Sequence, residues 1–510
     1  MPTTKGKKFL TVSLYTLIIW VIAHGYRFAN NLHTCDSLLE VFQDDIAFQR
    51  SLGRFMHPFV MIFRGCITNP WLIGIISFAF MALSVYFISE IFNIENSILL
   101  VILAGIMVCN NTMTSSVAGF LPWMDVYMAA LFLAIIAVWF YQKDKLVFYI
   151  LGSLCMVFCM GFYQAYIDVA IALFVYVVIR DLCFEKKLKE TLLKAVKILG
   201  GLAASGIVYY VSYKLVCKLH HVNVTSSYHC LTEIGNYADT SFGSVFLDTY
   251  RQFFAFLFHQ ETFVSTILMG KKVSTAWEIL LNICLAISLL VFFVILGIRN
   301  KKNKTKIAGI LLQILCILIL PLALNFVCFM SKGVEHELMI YSFYLVYIFA
   351  LCEINEILPQ IKNKKYPIYI LAVPFILFIL NGIVYSNQVY FKIDMEDRAA
   401  ISIATRIIDD IEDTEGYEIG VTPVRFYGSL DHSDYMEPVM YLKDLEVNGN
   451  WNTPFTYEIS LPFYLQVYMN VKINVNYDEI PAEALRDMPT YPNKGSIAYI
   501  GDTLVVKISE

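Results

Sequence analysis

The feature that most constrains this chain is a succession of long apolar runs, each closed off by charge. The first covers about 9–27 and follows Lys5, Lys7 and Lys8. Others cover roughly 71–92, 97–110, 123–141, 146–161, 163–180, 195–216, 275–298, 306–330, 339–355 and 366–386. The hydrocarbon core of a bilayer is crossed by about 20 apolar residues of helix. Inside it, every backbone N–H and C=O must be satisfied within the protein, which favours helices. The runs therefore predict a mainly α, polytopic membrane protein with about 11 transmembrane helices. Of 510 residues, 58% are apolar, 15% aromatic and only 16% charged. Soluble domains carry about 45–50% apolar and about 25% charged residues. A disordered chain, a nucleic-acid binder and a soluble multidomain enzyme are excluded. The first run lacks a small-residue cleavage site and ends among Trp20, His24 and Tyr26, so it reads as a retained span and not a signal peptide.

The net charge of −4 conceals a division at the last span. Residues 387–510 carry 21 acidic and 9 basic side chains, whereas the rest carries 21 acidic and 29 basic. Two units follow: a membrane body over 1–386 and an acidic α+β domain over 387–510. Lysine and arginine concentrate in alternate short connectors, at Lys143 and Lys145, within 180–197, within 299–306 and at Lys362, Lys364 and Lys365. The positive-inside rule makes those connectors and the N-terminus cytoplasmic, and an odd span number puts the acidic domain outside. Two outer stretches, near 44–66 and 242–260, mix apolar residues at helical spacing with charge and read as helices lying at the membrane interface. In the tail, Ala400, Ala404, Ile407 and Ile411 keep helical spacing with Gly416 beyond them. Residues 417–421 read as a strand, and the final segment as a hairpin turning at Gly501 and Asp502. All 12 cysteines precede residue 353, mostly within apolar runs, where they read as small buried hydrophobes. No CxxC pair occurs and no disulfide framework is evident; Cys217 and Cys230 are the one pair to check.

Ionisable groups at a bilayer are costly, about 2.5–3.5 kcal/mol for a central Asp, so those at span ends are informative. On the outer side they converge. The first outer loop holds Asp36, Glu40, Asp44, Asp45 and Arg54. Asp125 opens a later span, Tyr163 and Gln164 sit in the turn GFYQAY, and Glu335, His336 and Glu337 precede the span near Met339. Each also has a purely structural reading. Asp44 and Asp45 suit a helix N-cap, Asp36 a loop acid, Arg54 a snorkelling cation, Asp125 a span-end cap, Tyr163 and Gln164 a packed turn, and His336 a satisfied interfacial histidine. There is no HExxH and the histidines are scattered. A divalent cation between Asp36 and a second outer acid is the only metal arrangement in view, no motif supports it, and no cofactor is expected. No P-loop or GxGxxG occurs, so nucleotide binding has no basis.

The opening span, the loop HTCDSLLEVFQDDIAFQRSLGRFMHP, the GFYQAYI turn and the GVEHELMIYSF segment resemble the Gtr-type bacterial glucosyltransferases. In that family an acid in the first outer loop precedes a Gly-Arg pair, as Asp36 precedes Gly53 and Arg54 here. The family often has a second acid beside the first and a Trp before the Gly-Arg pair. Here Ser37 follows Asp36, and Phe48 and Leu52 occupy the later stretch, which leaves the choice among Asp36, Asp44 and Asp45 open.

The resemblance implies a GT-C architecture in the bacterial cytoplasmic membrane. It also implies transfer of a hexose, glucose in that family, from a polyprenyl-phosphate-linked donor to a hydroxyl of a surface glycan such as O-antigen. An outer active site needs a lipid-borne donor, because nucleotide sugars are made in the cytoplasm. A carboxylate takes the acceptor proton, a role that falls to Asp36 with Asp44 or Asp45 as substitutes. Arg54 and His336 would stabilise the departing phosphate. Asp125, Tyr163, Gln164 and Glu335 would line the substrate site. Net inversion is expected, since nothing points to a covalent intermediate. A lipid-linked polysaccharide polymerase or ligase would need more outer arginines. A flippase or transporter would place ionisable groups at mid-span within inverted repeats; Asp168 is the only such acid, and no repeat is visible. A non-catalytic scaffold would not gather acids, arginine and histidine on one face.

Overall fold

In the computed structural model the described residues are 5–42, 46–143, 145–184, 188–224, 241–258, 276–302, 307–331, 337–360, 365–430, 435–436, 442, 445 and 454–509. The chain is a helical membrane body followed by a small mixed sheet. Helix α1 (Lys5–Ala29) leads through two segments of the first loop, α2 (Cys35–Leu39) and the pair α3 (Ile46–Ser51) and α4 (His57–Phe63), into α5 (Pro70–Ile91). Then come α6 (Ser97–Val108), α7 (Asn111–Gly119), α8 (Met124–Tyr141), α9 (Leu146–Phe162), α10 (Ile167–Phe184) and α11 (Leu188–Leu219). The body continues with α12 (Phe242–Phe258), α13 (Ala276–Lys302), α14 (Ile307–Leu324), α15 (Phe326–Met330), α16 (Leu345–Ile357) and α17 (Lys365–Glu412). Starts are locally encoded. Asn69 accepts from Leu72 N at 3.3 Å with Pro70 next in line, and Asn96 and Asn110 cap α6 and α7 in the same way.

Among the described residues seven helices are long and apolar enough to cross a bilayer, or eight if α6 and α7, bent by 46° at Asn110, count as one span. This is fewer than the expected eleven, and the difference has a local cause. The run at 146–161 is a 17-residue helix, and the one at 163–180 opens on Asp168 and closes on Arg180 and Asp181. The run at 339–355 is divided between 3-10 turns and a 13-residue helix whose side chains are buried in protein. The interfacial stretch at 44–66 breaks at Gly53 into α3 and α4.

The body packs as interleaved helices: α5 lies between α1 and α8, α9 between α8 and α11, and α10 against α14. Helix α17 comes close to α6, because a Cβ on Gly382 would meet the Cys109 carbonyl. At 48 residues, α17 is about 72 Å long, more than twice the hydrocarbon thickness of about 30 Å. It therefore carries its second half out of the membrane.

The C-terminal half of α17 bears the stripe foreseen from the sequence. Ala400, Ala404, Ile407 and Ile411 are all fully buried. They pack with Val424, Phe426, Leu504 and Val506 of a four-stranded sheet ordered β2-β1-β4-β3. β1 (Pro423–Tyr427) runs parallel to β2 (Asn474–Val475) and to β4 (Thr503–Lys507), and β3 (Ile497–Ile500) pairs antiparallel with β4. The hairpin at Gly501 and Asp502 is present. The strand expected at 417–421 is not: that stretch is a turn with Gly420 at φ +71°, and pairing begins at Pro423. Leu38 of α2 belongs to the same apolar cluster as the sheet, which ties the first loop to the C-terminal region.

Candidate active site

Asp36 lies in the first turn of α2. The helix is started by Thr34, whose backbone N–H donates to Ser37 Oγ at 2.8 Å, while Thr34 Oγ1 donates to Gly119 O at 3.3 Å. It packs against α7, against the turn Leu121–Trp123 and against α18 (Ser460–Val467) of the C-terminal region. Among the described residues no side chain donates to or pairs with the Asp36 carboxylate. Burial pushes its pKa up from 3.8 to about 6.

Beside α2 is a polar cluster that sequence reasoning missed. His33 Nδ1 meets Asp397 Oδ1 at 2.6 Å, and Tyr464 OH donates to the same oxygen at 3.5 Å. The His33 ring lies 3.7 Å from that of Tyr468, whose hydroxyl donates to Ser37 O at 3.3 Å. Burial holds the Tyr468 phenol well above its usual range; Arg27 opposes this and Asp397 adds to it, so both charges are near. Arg27 is fully buried at the C-terminal end of α1. Its Nη2 donates to Ala118 O at 3.5 Å, while Nε and Nη1 have no hydrogen-bond partner among the described residues. Arg27 reads in the sequence as the end of a span. His33 and Asp397 are 364 residues apart and are brought together by the C-terminal half of α17.

The Gly53-Arg54 turn is held by α11 and by Gln164. Tyr209 OH donates to Gly53 O at 3.1 Å, Tyr213 OH to Ser51 O at 2.5 Å, and Cys217 Sγ to Arg50 O at 3.4 Å. Cys230, the cysteine to be checked against Cys217, lies outside the described residues. Gln164 Nε2 donates to Leu52 O at 2.7 Å and to Tyr209 OH at 2.9 Å, so its amide is engaged by the turn. Gly53 has φ +83°, and a Cβ there would run into the Tyr209 hydroxyl. Arg54 is thereby set over the Tyr163 ring, 4.9 Å from its centroid. Its Nη1 donates to Gln49 Oε1 at 3.2 Å, and its buried Nε has no partner among the described residues. Tyr163 in turn packs on Tyr127, with ring centroids 4.7 Å apart.

Asp125 pairs with Arg64 and not with Arg54. Asp125 Oδ2 and Arg64 Nε are 3.0 Å apart with both side chains fully buried, and Arg64 Nη2 donates to Pro122 O at 3.0 Å. Between the two arginines sits His57, whose Nε2 donates to Phe162 O at 2.8 Å. Burial, Arg54 and Arg64 hold its pKa well below 6.5, so the ring is neutral and Nδ1 is a bare acceptor without a partner among the described residues. Asp36 and Arg54 are thus not in contact. They are joined through the turn Leu121–Trp123, the Arg64–Asp125 pair and the Tyr127–Tyr163 stack. Asp44, Asp45, Glu335 and His336 lie outside the described residues. Among the described residues no three His, Cys, Asp or Glu side chains gather to hold a metal ion.

A family model, Glucosyl transferase GtrII, matches residues 25–354. The chain belongs to this family. No curated protein and no solved structure matches it. As a GtrII-family member the protein is a glycosyltransferase, and membership implies glucosyl transfer to a surface polysaccharide. Its several long apolar helices make it a multi-pass membrane protein. The matched region contains Arg27, Asp36, Arg54, Asp125, Tyr163 and Gln164 and ends before α17, so Asp397 and the sheet lie beyond it.

Proposed function

We propose that this protein moves glucose from a polyprenyl-phosphate-linked donor to a hydroxyl of a cell-surface polysaccharide, on the outer face of the bacterial cytoplasmic membrane. In this reading residues 1–386 form the transferase body with a cytoplasmic N-terminus, and residues 387–510 form an extracytoplasmic domain over the acceptor path. What supports it is the GtrII family match over residues 25–354 together with the largely buried Asp36 carboxylate in α2, whose pKa burial pushes up to about 6 and which no cation pairs with among the described residues. A base poised near the working pH is what proton removal from an acceptor hydroxyl calls for.

Asp36 takes the hydroxyl proton as the acceptor oxygen attacks the anomeric carbon. The bond from that carbon to the phosphate oxygen breaks, and the lipid phosphate leaves with the electron pair. A single displacement inverts the anomeric centre. Arg54 Nε and Arg27 Nε and Nη1, which have no hydrogen-bond partner among the described residues, supply donors for the phosphate as charge grows on it. Tyr163 orients the sugar. Gln164 and Asp125 are positioning residues, the first acting through the Gly53 turn and the second through Arg64. Asp44 and Asp45 stand as alternative bases, His336 as a further phosphate ligand and Glu335 as a sugar ligand.

The test compares Asp36→Asn, Asp44→Asn, Asp45→Asn and Arg54→Ala in membranes holding equal protein, with polyprenyl-phosphate-glucose as donor. Asp36→Asn should lose transfer by about 100-fold or more. Full activity in Asp36→Asn with loss in Asp44→Asn or Asp45→Asn would move the base. Full activity in all four variants would remove the site.

A further inference from the structure

Away from this site, α9 and α11 leave an open groove of about 640 Å³ between them, several of whose apolar lining side chains are exposed on the surface of the body. Its two ends differ in chemistry. Lys145 and Lys197 stand at one end, and Val157 and Val208 line the other. Between them the walls are Leu146, Ile150, Leu154 and Ala204. Ser153 and Ser205 also line the groove, but their hydroxyls are engaged, Ser153 with Tyr141 OH at 2.7 Å and Ser205 with Gly201 O at 2.7 Å. The Lys197 ammonium lies 5.8 Å from the Tyr149 ring, which brings it over the start of α9. Lys145 is the N-cap of that helix, so the positive end of the helix dipole lies at the lysine end of the groove.

Length adds a second constraint. From Leu146 to Val157 the helix rises about 16 Å, roughly half of the 30 Å hydrocarbon core and thus the depth of one leaflet. A free anion has no use for a wall of about 16 Å of apolar side chains, and a neutral lipid has none for two lysines at its head. We propose that the α9–α11 groove binds one anionic phospholipid of the lysine-bearing leaflet, its phosphate between Lys145 and Lys197 and an acyl chain along Leu146, Ile150, Leu154 and Val157.

The site has a consequence for Arg54. Helix α11 faces lipid along most of its length, and its buried residues form one stripe: Thr191, Ile198, Ser205, Tyr209, Tyr213 and Cys217. The last three hold the turn that places Arg54. A lipid seated between α9 and α11 braces α11 on the body and with it that turn. This coupling, unlike the binding itself, rests on the proposed role of Arg54.

The experiment uses the full chain in detergent, incubated with equal phosphatidylglycerol and phosphatidylcholine and read by native mass spectrometry. The expected result is one retained phosphatidylglycerol per chain. Lys145→Glu/Lys197→Glu should lose it at least tenfold, and Ala204→Trp, which fills the groove and spares both lysines, should lose it as well. Equal retention of the two lipids, or wild-type retention in either variant, overturns the site; Ala204→Trp keeps the test open if the double variant does not fold. A second arm compares glucose transfer in phosphatidylcholine vesicles with and without phosphatidylglycerol, where a severalfold gain is expected with the wild type and none with Ala204→Trp. A gain of equal size in Ala204→Trp overturns the coupling. Absence of transfer in every vesicle would count against the proposed reaction, while lipid retention still decides the binding site.

Discussion

Replacing Asp36 by asparagine should stabilise the protein while abolishing transfer, and the size of the first effect follows from the burial of the carboxyl. Burial raises its pKa from 3.8 to about 6, a gap worth about 3 kcal/mol. Asp36 keeps some contact with solvent, and screening trims the figure to about 2 kcal/mol. The folded chain holds the proton more tightly than the unfolded chain, so ionising Asp36 costs folding free energy. That cost is absent below about pH 4, grows through the window from about 4 to 6, and is complete above it. The asparagine amide in the variant does not ionise, so it escapes this cost at every pH. Thermal unfolding in detergent should therefore show the variant melting on the order of 2 °C above wild type at pH 8, with the gap closing by about pH 4. Transfer by the wild type should rise about tenfold per pH unit below about 6 and level off above it, whereas the variant stays inactive throughout. Equal melting temperatures at both pH values, or transfer by the variant, would refute the description of Asp36 as a buried base without a counterion.

Gly53→Ala forces a side chain into a left-handed backbone position against the Tyr209 hydroxyl; a loss of about 1–2 kcal/mol and of most transfer is expected from melting and activity assays on one preparation. Asp125→Ala strands Arg64 without its partner and should cost about 3–5 kcal/mol, while Arg64→Met/Asp125→Leu recovers most of it; yield and melting temperature read both. Arg27→Lys keeps the charge and removes the planar fork, so the KM for the lipid donor should rise about tenfold with little change in melting temperature; an unchanged KM would take Arg27 out of the donor site.

Much of this molecule was legible as local pattern. Apolar runs announce membrane helices, the stripe from Ala400 to Ile411 announces a helix with one buried face, and Gly501 with Asp502 announces a hairpin, because each signal is complete within a few residues of chain. The Gly53-Arg54 pair is singled out by its resemblance to the family's Gly-Arg pair. What holds it could not be read from the sequence, since the hydroxyls of Tyr209 and Tyr213 come from a helix 156 and 162 residues away from the carbonyls they reach. The start of β1 at Pro423 instead of 417 depends on parallel pairing with the last strand of the chain. The same limit governs charge. Asp125 reads as a span-end cap until folding brings Arg64 to 3.0 Å, and His33 reads as a loop residue until α17 delivers Asp397. Periodicity records which face of a segment prefers apolar surroundings, because that preference is a property of the segment. Ion pairs and close hydroxyl contacts act over a few ångströms between side chains far apart in sequence, so their partners were decided only by the packing of the helices that carry them.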